Sequence, residues 1–217
     1  ERLQMLDLAE TLDTAVIEDA AYQDLRFDGE PVPPMLALEQ DRKGGDIEAC
    51  RTIYCGTFSK TLSPGLRVGW VVAASPVIQQ LVLMKQASDL HSPTINQIVT
   101  YQVAEQLFDT HVTELRSVYM RRRDAMLAAL EEHMPTGVTW TKPEGGMFIW
   151  VTLPEGISGA QLLERALEQE KVAFVPGQAF HADGAGENTL RLSFSNSNEP
   201  AIAEGIARLG RVLKTAM

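Results

Sequence analysis

Cysteine is scarce in this chain: its 217 residues contain two, Cys50 and Cys55. Their spacing matches no common zinc pattern and no Cys/His pair elsewhere completes one, which excludes a structural zinc site of the usual kind. Cys55 stands in an apolar run and reads as a small core residue. Low cysteine use also fits a reducing compartment. Basic charge is scarce as well. The formal net charge is -10, and the clustered Lys and Arg that nucleic-acid phosphates require are missing. The run Arg121-Arg122-Arg123 falls inside an amphipathic helical pattern and reads as a solvated helix face. No apolar stretch is long enough to span a bilayer and no signal peptide opens the sequence, so the cytoplasm is the default location. What is present in ordinary amount is the material of a folded core: 45% of residues are hydrophobic and 22% charged, which excludes a disordered chain.

The opening residues read as a helix, with Leu3, Leu6 and Leu12 near helical spacing. Neither an initiator Met nor a capping residue precedes them, as in a cut made inside a longer chain. Ala15-Val16-Ile17, ending in Glu18-Asp19, predicts a buried parallel strand. Residues 28–49 are rich in Gly, Pro and charge and read as a loop. Thr52 to Cys55 predicts another buried strand, running into Gly56-Thr57-Phe58-Ser59-Lys60. A turn at Pro64-Gly65 leads to a strand over 68–72, and Pro76 opens a helix to about Asp89, since Pro suits a first helical turn. Two more helices are expected at 94–108 and 110–133, the second with an apolar stripe of Leu115, Val118, Met126, Leu127 and Leu130. Strands are then expected over 138–140, 147–153, 172–175 and 190–194, and helices over 158–169 and 198–216. Strands alternating with helices make an α/β or α+β chain, with no internal repeat.

Of the six lysines, Lys60 differs from the rest. It follows a predicted buried strand, in a turn dense with hydroxyls: Thr57, Ser59, Thr61 and Ser63. Reactive groups in parallel α/β sheets gather at the carboxyl ends of strands, and a lysine partly removed from water loses charge and becomes a nucleophilic amine. A lysine that simply reaches solvent from a turn fits the position too. Arg67 has the planar fork that suits phosphate oxygens, or belongs to a surface ion pair. Asp19 ends the first strand, with Tyr22 close behind; a carboxylate there can hold a protonated ring nitrogen, or can cap the next turn. Arg191 sits among apolar neighbours in Leu190-Arg191-Leu192-Ser193-Phe194, where it requires a carboxylate partner or an outward path to water.

Together these residues resemble the fold-type I aminotransferases, the pyridoxal-phosphate family with the aspartate aminotransferase fold. The segment from Gly56 through Lys60, Pro64-Gly65 and Arg67 to Trp70 resembles the family's Schiff-base motif almost without a gap. Its wording is most similar to the subgroup of 2-aminoadipate, kynurenine and aromatic aminotransferases. Val16 to Tyr22 resembles the pyridine-binding strand, and Pro143 to Trp150 the glycine-bearing strand of the small domain. Val175 to Phe180 and Leu190 to Phe194 resemble the closing segments.

The resemblance implies an α/β fold in which residues 1–108 are the C-terminal part of the large-domain mixed or parallel sheet and 109–217 a small α+β domain. It implies pyridoxal 5'-phosphate as cofactor, an amino acid and a 2-oxo acid as substrates, and a homodimer with His91 to Gln97 near the subunit interface. By the same resemblance Lys60 carries the cofactor and shuttles a proton, and Asp19 pairs with the ring nitrogen. Tyr22 contacts the ring oxygen, Thr57, Ser59 and Arg67 bind the phosphate, and Arg191 grips the substrate α-carboxylate. Gly145-Gly146 is read as a site of close backbone approach. The family's N-terminal phosphate loop, stacking aromatic and Asn are not in these residues, so the chain alone is expected to be catalytically poor or dead. Two other functions share the scaffold: the effector-sensing domain of a winged-helix transcription regulator, and a pyridoxal-phosphate β-lyase.

Overall fold

The structure is a computed structural model that describes residues 1–216. It forms two compact units, Glu1–Leu115 and Arg116 to the chain end.

The first unit contains α1 (Arg2–Thr11), β1 (Val16–Asp19), α2 (Met35–Arg42), β2 (Thr52–Thr57), β3 (Gly69–Val72) and α3 (Ser75–Ser88). Its sheet has the order β1-β2-β3. β1 and β2 are parallel, with Val16 opposite Thr52 and Asp19 opposite Cys55. β3 returns antiparallel, with Thr57 opposite Gly69. A parallel pair needs a crossover, and α2 lies within it, so the stretch read as a loop over 28–49 contains a helix. Its sequence, MLALEQDR, is made of good helix formers. Its N-terminus lacks a local side-chain cap, because Pro34 holds the capping position. The cap comes from a distance instead: the Glu18 carboxylate accepts from Met35 N at 2.8 Å and from Leu36 N at 3.4 Å, and pairs with Arg2 at 2.5 Å. Glu39 ties the same helix to β2, accepting from Arg51 N at 2.9 Å and Thr52 N at 2.8 Å.

The predicted burial of β1 is inverted. Ile17 is 73% exposed, whereas Glu18 is buried. β3 is exposed at all four positions, and α3 buries none of its residues. Of the two cysteines it is Cys50 that is buried, while Cys55 is half-buried.

A single helix, α4 (Thr94–His133), replaces the two expected over 94–108 and 110–133. Phe108-Asp109-Thr110 contains neither Gly nor Pro, so nothing there breaks the hydrogen-bond ladder. The second unit continues with β4 (Thr139–Trp140), β5 (Phe148–Thr152), α5 (Gly159–Glu170), β6 (Val175–Pro176), β7 (Thr189–Ser193) and α6 (Glu199–Ala216). The sheet order is β4-β5-β7-β6, antiparallel throughout. Alternation decides its faces. Ile149, Val151, Leu190 and Leu192 are buried, as are Ile202, Ile206, Leu209 and Leu213, which recur along α6 at helical spacing. Phe148, Trp150, Arg191 and Ser193 share the opposite face, because Phe148 pairs with Ser193 and Trp150 with Arg191. The strand expected over 172–175 shrinks to Val175–Pro176. Lys171 takes a left-handed conformation to end α5, and Val172 N still bonds back to Ala166 O.

The arginine run is not a solvated face. Arg123 is 8% exposed and donates to Pro143 O at 2.7 Å, and Arg122 donates to Ser195 O. The two side chains hold the loop before β5 and the loop after β7. Tyr119, Arg123, Met126 and Leu130 lie on one buried stripe of the helix, so Arg123 occupies a core position of the period. Arg121 remains exposed, 3.5 Å from Glu199.

Candidate functional site

Because β1 and β2 run parallel, their carboxyl ends emerge on the same side of the sheet, with Asp19 level with Cys55. That edge is where α/β sheets place their ligands. The chain after β2 makes one helical turn, with Leu62 N bonded to Phe58 O at 2.9 Å and Ser63 N to the same oxygen at 3.1 Å. Lys60 lies in this turn and is half-buried. Its Nζ stands 5.7 Å from the centre of the Tyr22 ring, so the fold brings together two residues that are 38 positions apart by number.

Thr57 and Ser59 also meet. The Thr57 hydroxyl accepts from Ser59 N at 3.1 Å, lies 2.9 Å from Ser59 Oγ, and is 3.2 Å from Val68 O. It therefore pins the start of the lysine turn to the chain entering β3, which Phe58 N reinforces by donating to Val68 O. Phe58 stacks at a tilt on Trp70, with ring centres 4.7 Å apart. Asp19 is exposed and accepts from Ala21 N at 3.2 Å, a turn-forming bond that leaves its second oxygen directed elsewhere. Arg67 is exposed, donates to Pro64 O at 3.2 Å, and adopts φ 54, ψ 40. A left-handed arginine costs roughly 1–2 kcal/mol, and such strain collects at functional sites. Asn96, inside the segment His91 to Gln97, donates to Leu66 O at 3.0 Å and supports the same loop.

Arg191 belongs to the second unit. It is half-buried on β7, with its guanidinium carbon 4.0 Å from the centre of the Phe148 ring and 4.5 Å from that of Phe180. Sequence reasoning placed neither ring there. The signal for Phe148 is parity across β5 and β7, which is legible only once the register is known; Phe180 comes from an irregular turn and carries no signal. Gly146 corrects another expectation. A Cβ there meets nothing within 4 Å, and the residue is glycine because its φ is +78. Close approach is instead the property of Gly177, where a Cβ would stand 1.8 Å from Thr189 Oγ1. Among the described residues no cluster of three or more His, Cys, Asp or Glu can hold a metal ion, and no helix is long and apolar enough to cross a membrane.

The chain is 45% identical over all of its 217 residues to aromatic-amino-acid aminotransferase 1 of Thermococcus litoralis, and covers 50% of that protein. An alpha-aminoadipate aminotransferase structure from Thermus thermophilus, complexed with N-(5'-phosphopyridoxyl)-L-leucine, superposes with a TM-score of 0.91 at 44% identity, over 99% of this chain and 54% of that one. The HTH-type transcriptional regulator YisV of Bacillus subtilis is 31% identical over the full chain, which covers 43% of it. The chain thus spans about half the length of the curated relatives it matches. The model of the family "Aminotransferase class I and II" matches residues 1–209. With that match over nearly the whole chain, and with the lysine turn standing between β2 and β3 of a mixed sheet that precedes an antiparallel one, the chain belongs to the class I and II aminotransferase family.

Proposed function

We propose that the protein carrying this chain transfers an amino group between an amino acid and a 2-oxo acid such as 2-oxoglutarate, using pyridoxal phosphate. We assign 2-aminoadipate, aromatic or a broad range of amino acids as donors. The observation that carries this reading is Lys60, held in a hydroxyl-lined turn at the carboxyl end of β2 with its amine beside the Tyr22 ring. The donor set fits the cofactor: an amine for its carbonyl carbon, hydroxyls and a guanidinium for its phosphate, a carboxylate for its ring nitrogen and a phenol for its ring oxygen.

In this reading Lys60 binds the cofactor through Nζ. Thr57, Ser59 and Arg67 hold the phosphate. Asp19 keeps a proton on the ring nitrogen, Tyr22 donates to the ring oxygen, and Arg191 takes the substrate carboxylate in a bidentate pair. When bound, pyridoxal phosphate supplies the sink for the electrons released at the substrate Cα. The freed Lys60 amine carries the Cα proton away and redelivers it, a general acid–base role worth about 10²–10⁴-fold in rate. A homodimer in the cytoplasm is the setting we assign to it.

The test uses the polypeptide at its full natural length. It is loaded with pyridoxal phosphate, reduced with borohydride, and its peptides are mapped by mass, with Lys60→Ala as control. The expected label is confined to Lys60 and disappears in the variant. A full-length protein with no label at Lys60 overturns the reading. A second function, effector sensing by a transcription regulator, is favoured by the likeness to YisV along the whole chain. A protein that labels at Lys60 and binds DNA through a fused segment, yet makes no keto acid from any amino donor, is of that second kind.

A further inference from the structure

Arg191 is an arginine without an acceptor among the described residues. It makes no hydrogen bond or ion pair among the described residues, although its neighbours on β7, Leu190 and Leu192, are buried. Its contacts are with aromatic rings: Phe148 at 4.0 Å and Phe180 at 4.5 Å. Both phenylalanine rings therefore lie within van der Waals reach of the guanidinium. A guanidinium covered on its faces keeps its N–H donors in the plane, directed outward from its edge. The rings themselves accept nothing from a carboxylate. What they do is remove the rotamer freedom that a long side chain otherwise loses only on binding.

Both rings are held firmly. Phe148 is fixed by the register of β5 with β7, which sets it on the same sheet face as Arg191. Phe180 is delivered by the 3-10 turn Gly177–Phe180. That turn lies tight against the sheet, since a Cβ on Gly177 would fall 1.8 Å from Thr189 Oγ1 and 2.9 Å from the Trp150 ring. Trp150 then meets Phe180 edge-on, with ring centres 5.5 Å apart at 72°. Phe180 is nevertheless 47% exposed, so its position is maintained by the turn and by Trp150 rather than by enclosure.

We propose that Phe148 and Phe180 are positioning residues that clamp the Arg191 guanidinium and present its donor edge to the substrate carboxylate. The proposal rests on the assignment of Arg191 to that carboxylate. The test is done on the full-length holoenzyme with Phe148→Leu, Phe180→Leu, Phe180→Tyr and Arg191→Lys. Two quantities are read: KM and kcat for amino acid and oxo acid, and the equilibrium binding of 3-phenylpropanoate against its uncharged amide. Each Phe→Leu change is expected to raise KM and weaken carboxylate binding by roughly 3- to 30-fold, with a smaller effect on kcat. Amide binding stays as in the parent, and Phe180→Tyr, which keeps the ring, restores carboxylate binding. Because Phe180 is half in solvent, its replacement is not expected to unfold the unit, and circular dichroism checks this. The clamp is overturned if both Phe→Leu variants bind the carboxylate like the parent while Arg191→Lys does not. It is equally overturned if amide and carboxylate weaken together, which would make the rings ordinary apolar contacts. If Arg191→Lys itself leaves carboxylate binding intact, the assignment of Arg191 fails instead.

Discussion

Glu39 is the clearest case of a single residue whose role depends on where the chain puts it. Burial alone raises a carboxyl's pKa, yet the N–H donors of Arg51 and Thr52 outweigh it and hold Glu39 below its ordinary value. A depressed folded pKa means that Glu39 contributes stability at pH values above its unfolded pKa, and that this contribution is lost as pH falls through the folded pKa. Glu39→Gln, which keeps the shape and discards the charge, is expected to cost about 1–3 kcal/mol at pH 7. The cost should shrink as the pH is lowered below the ordinary carboxylate range, because the parent then loses the same charge. Urea midpoints of parent and variant from pH 7 to pH 3 check this; a constant gap across the range would contradict it. In the sequence Glu39 is one acidic residue in a polar stretch. The placement of Lys60 in the turn after β2 and of Arg191 within β7 was legible there because each sits in a contiguous motif, whereas the buried roles of Glu18 and Glu39 exist through groups 12 or more residues away.

At the scale of elements, α4 shows both what periodicity reveals and what it hides. The apolar stripe over its second half was legible, and so were β5, β7, α5 and α6, where alternation or helical spacing is strong. The continuity of α4 was not: the apolar stripe was traced only over the second half, and no Gly or Pro separates it from the first. Nor was the inward turn of Arg123, because charge overrides position when a stripe is read by residue type alone. Its stem follows the buried stripe and its fork satisfies Pro143 O and Asp124. The burial of β1 was misread for another reason: an apolar run states what a strand can bury, not whether a neighbour is present. The contrast between adjacent arginines gives a direct check. Arg123→Ala removes a buried donor and leaves a carbonyl and a cavity, and is expected to lower stability by about 2–4 kcal/mol. Arg121→Ala, at an exposed position, is expected to stay within about 0.5 kcal/mol. Thermal or urea unfolding of the two variants side by side decides it, and equal effects would return the run to a solvated face.

The two units of the whole chain are built to different degrees. The second buries Ile149, Val151, Leu153, Leu190, Phe194, Leu209 and Leu213 almost completely. The apolar residues the first buries are fewer and smaller, Leu6, Ala9, Leu25, Leu36, Cys50, Ala73, Ala74 and Val112, and it leans on the carboxylates of Glu18 and Glu39. Its β3 is an edge strand exposed along its length, and α3 shows Val82, Leu83 and Met84 at 50%, 57% and 66% exposure. Ile95 and Ile98 near the start of α4 are exposed at 75% and 52%. Exposed apolar side chains in this number mark surface made for contact, and backbone hydrogen bonds with one-sided support open at low free energy. For the 217-residue polypeptide by itself, hydrogen exchange should therefore divide along the chain. Amides of β5 and β7 are expected to be the slowest, and those of β3 and α3 faster by about 10²-fold or more, equivalent to a difference of ~3 kcal/mol in opening free energy. Lys60, the lysine proposed to carry the cofactor, lies in the turn between β2 and β3, and if that turn shares the same openness, this polypeptide alone should label weakly at Lys60. In a chain extended to the length of the curated relatives it half-spans, protection of β3 and α3 should rise together with labelling. If β3 and α3 are already as slow as β5 in the 217 residues alone, the exposed apolar face is not what limits labelling at Lys60, and this account of it fails.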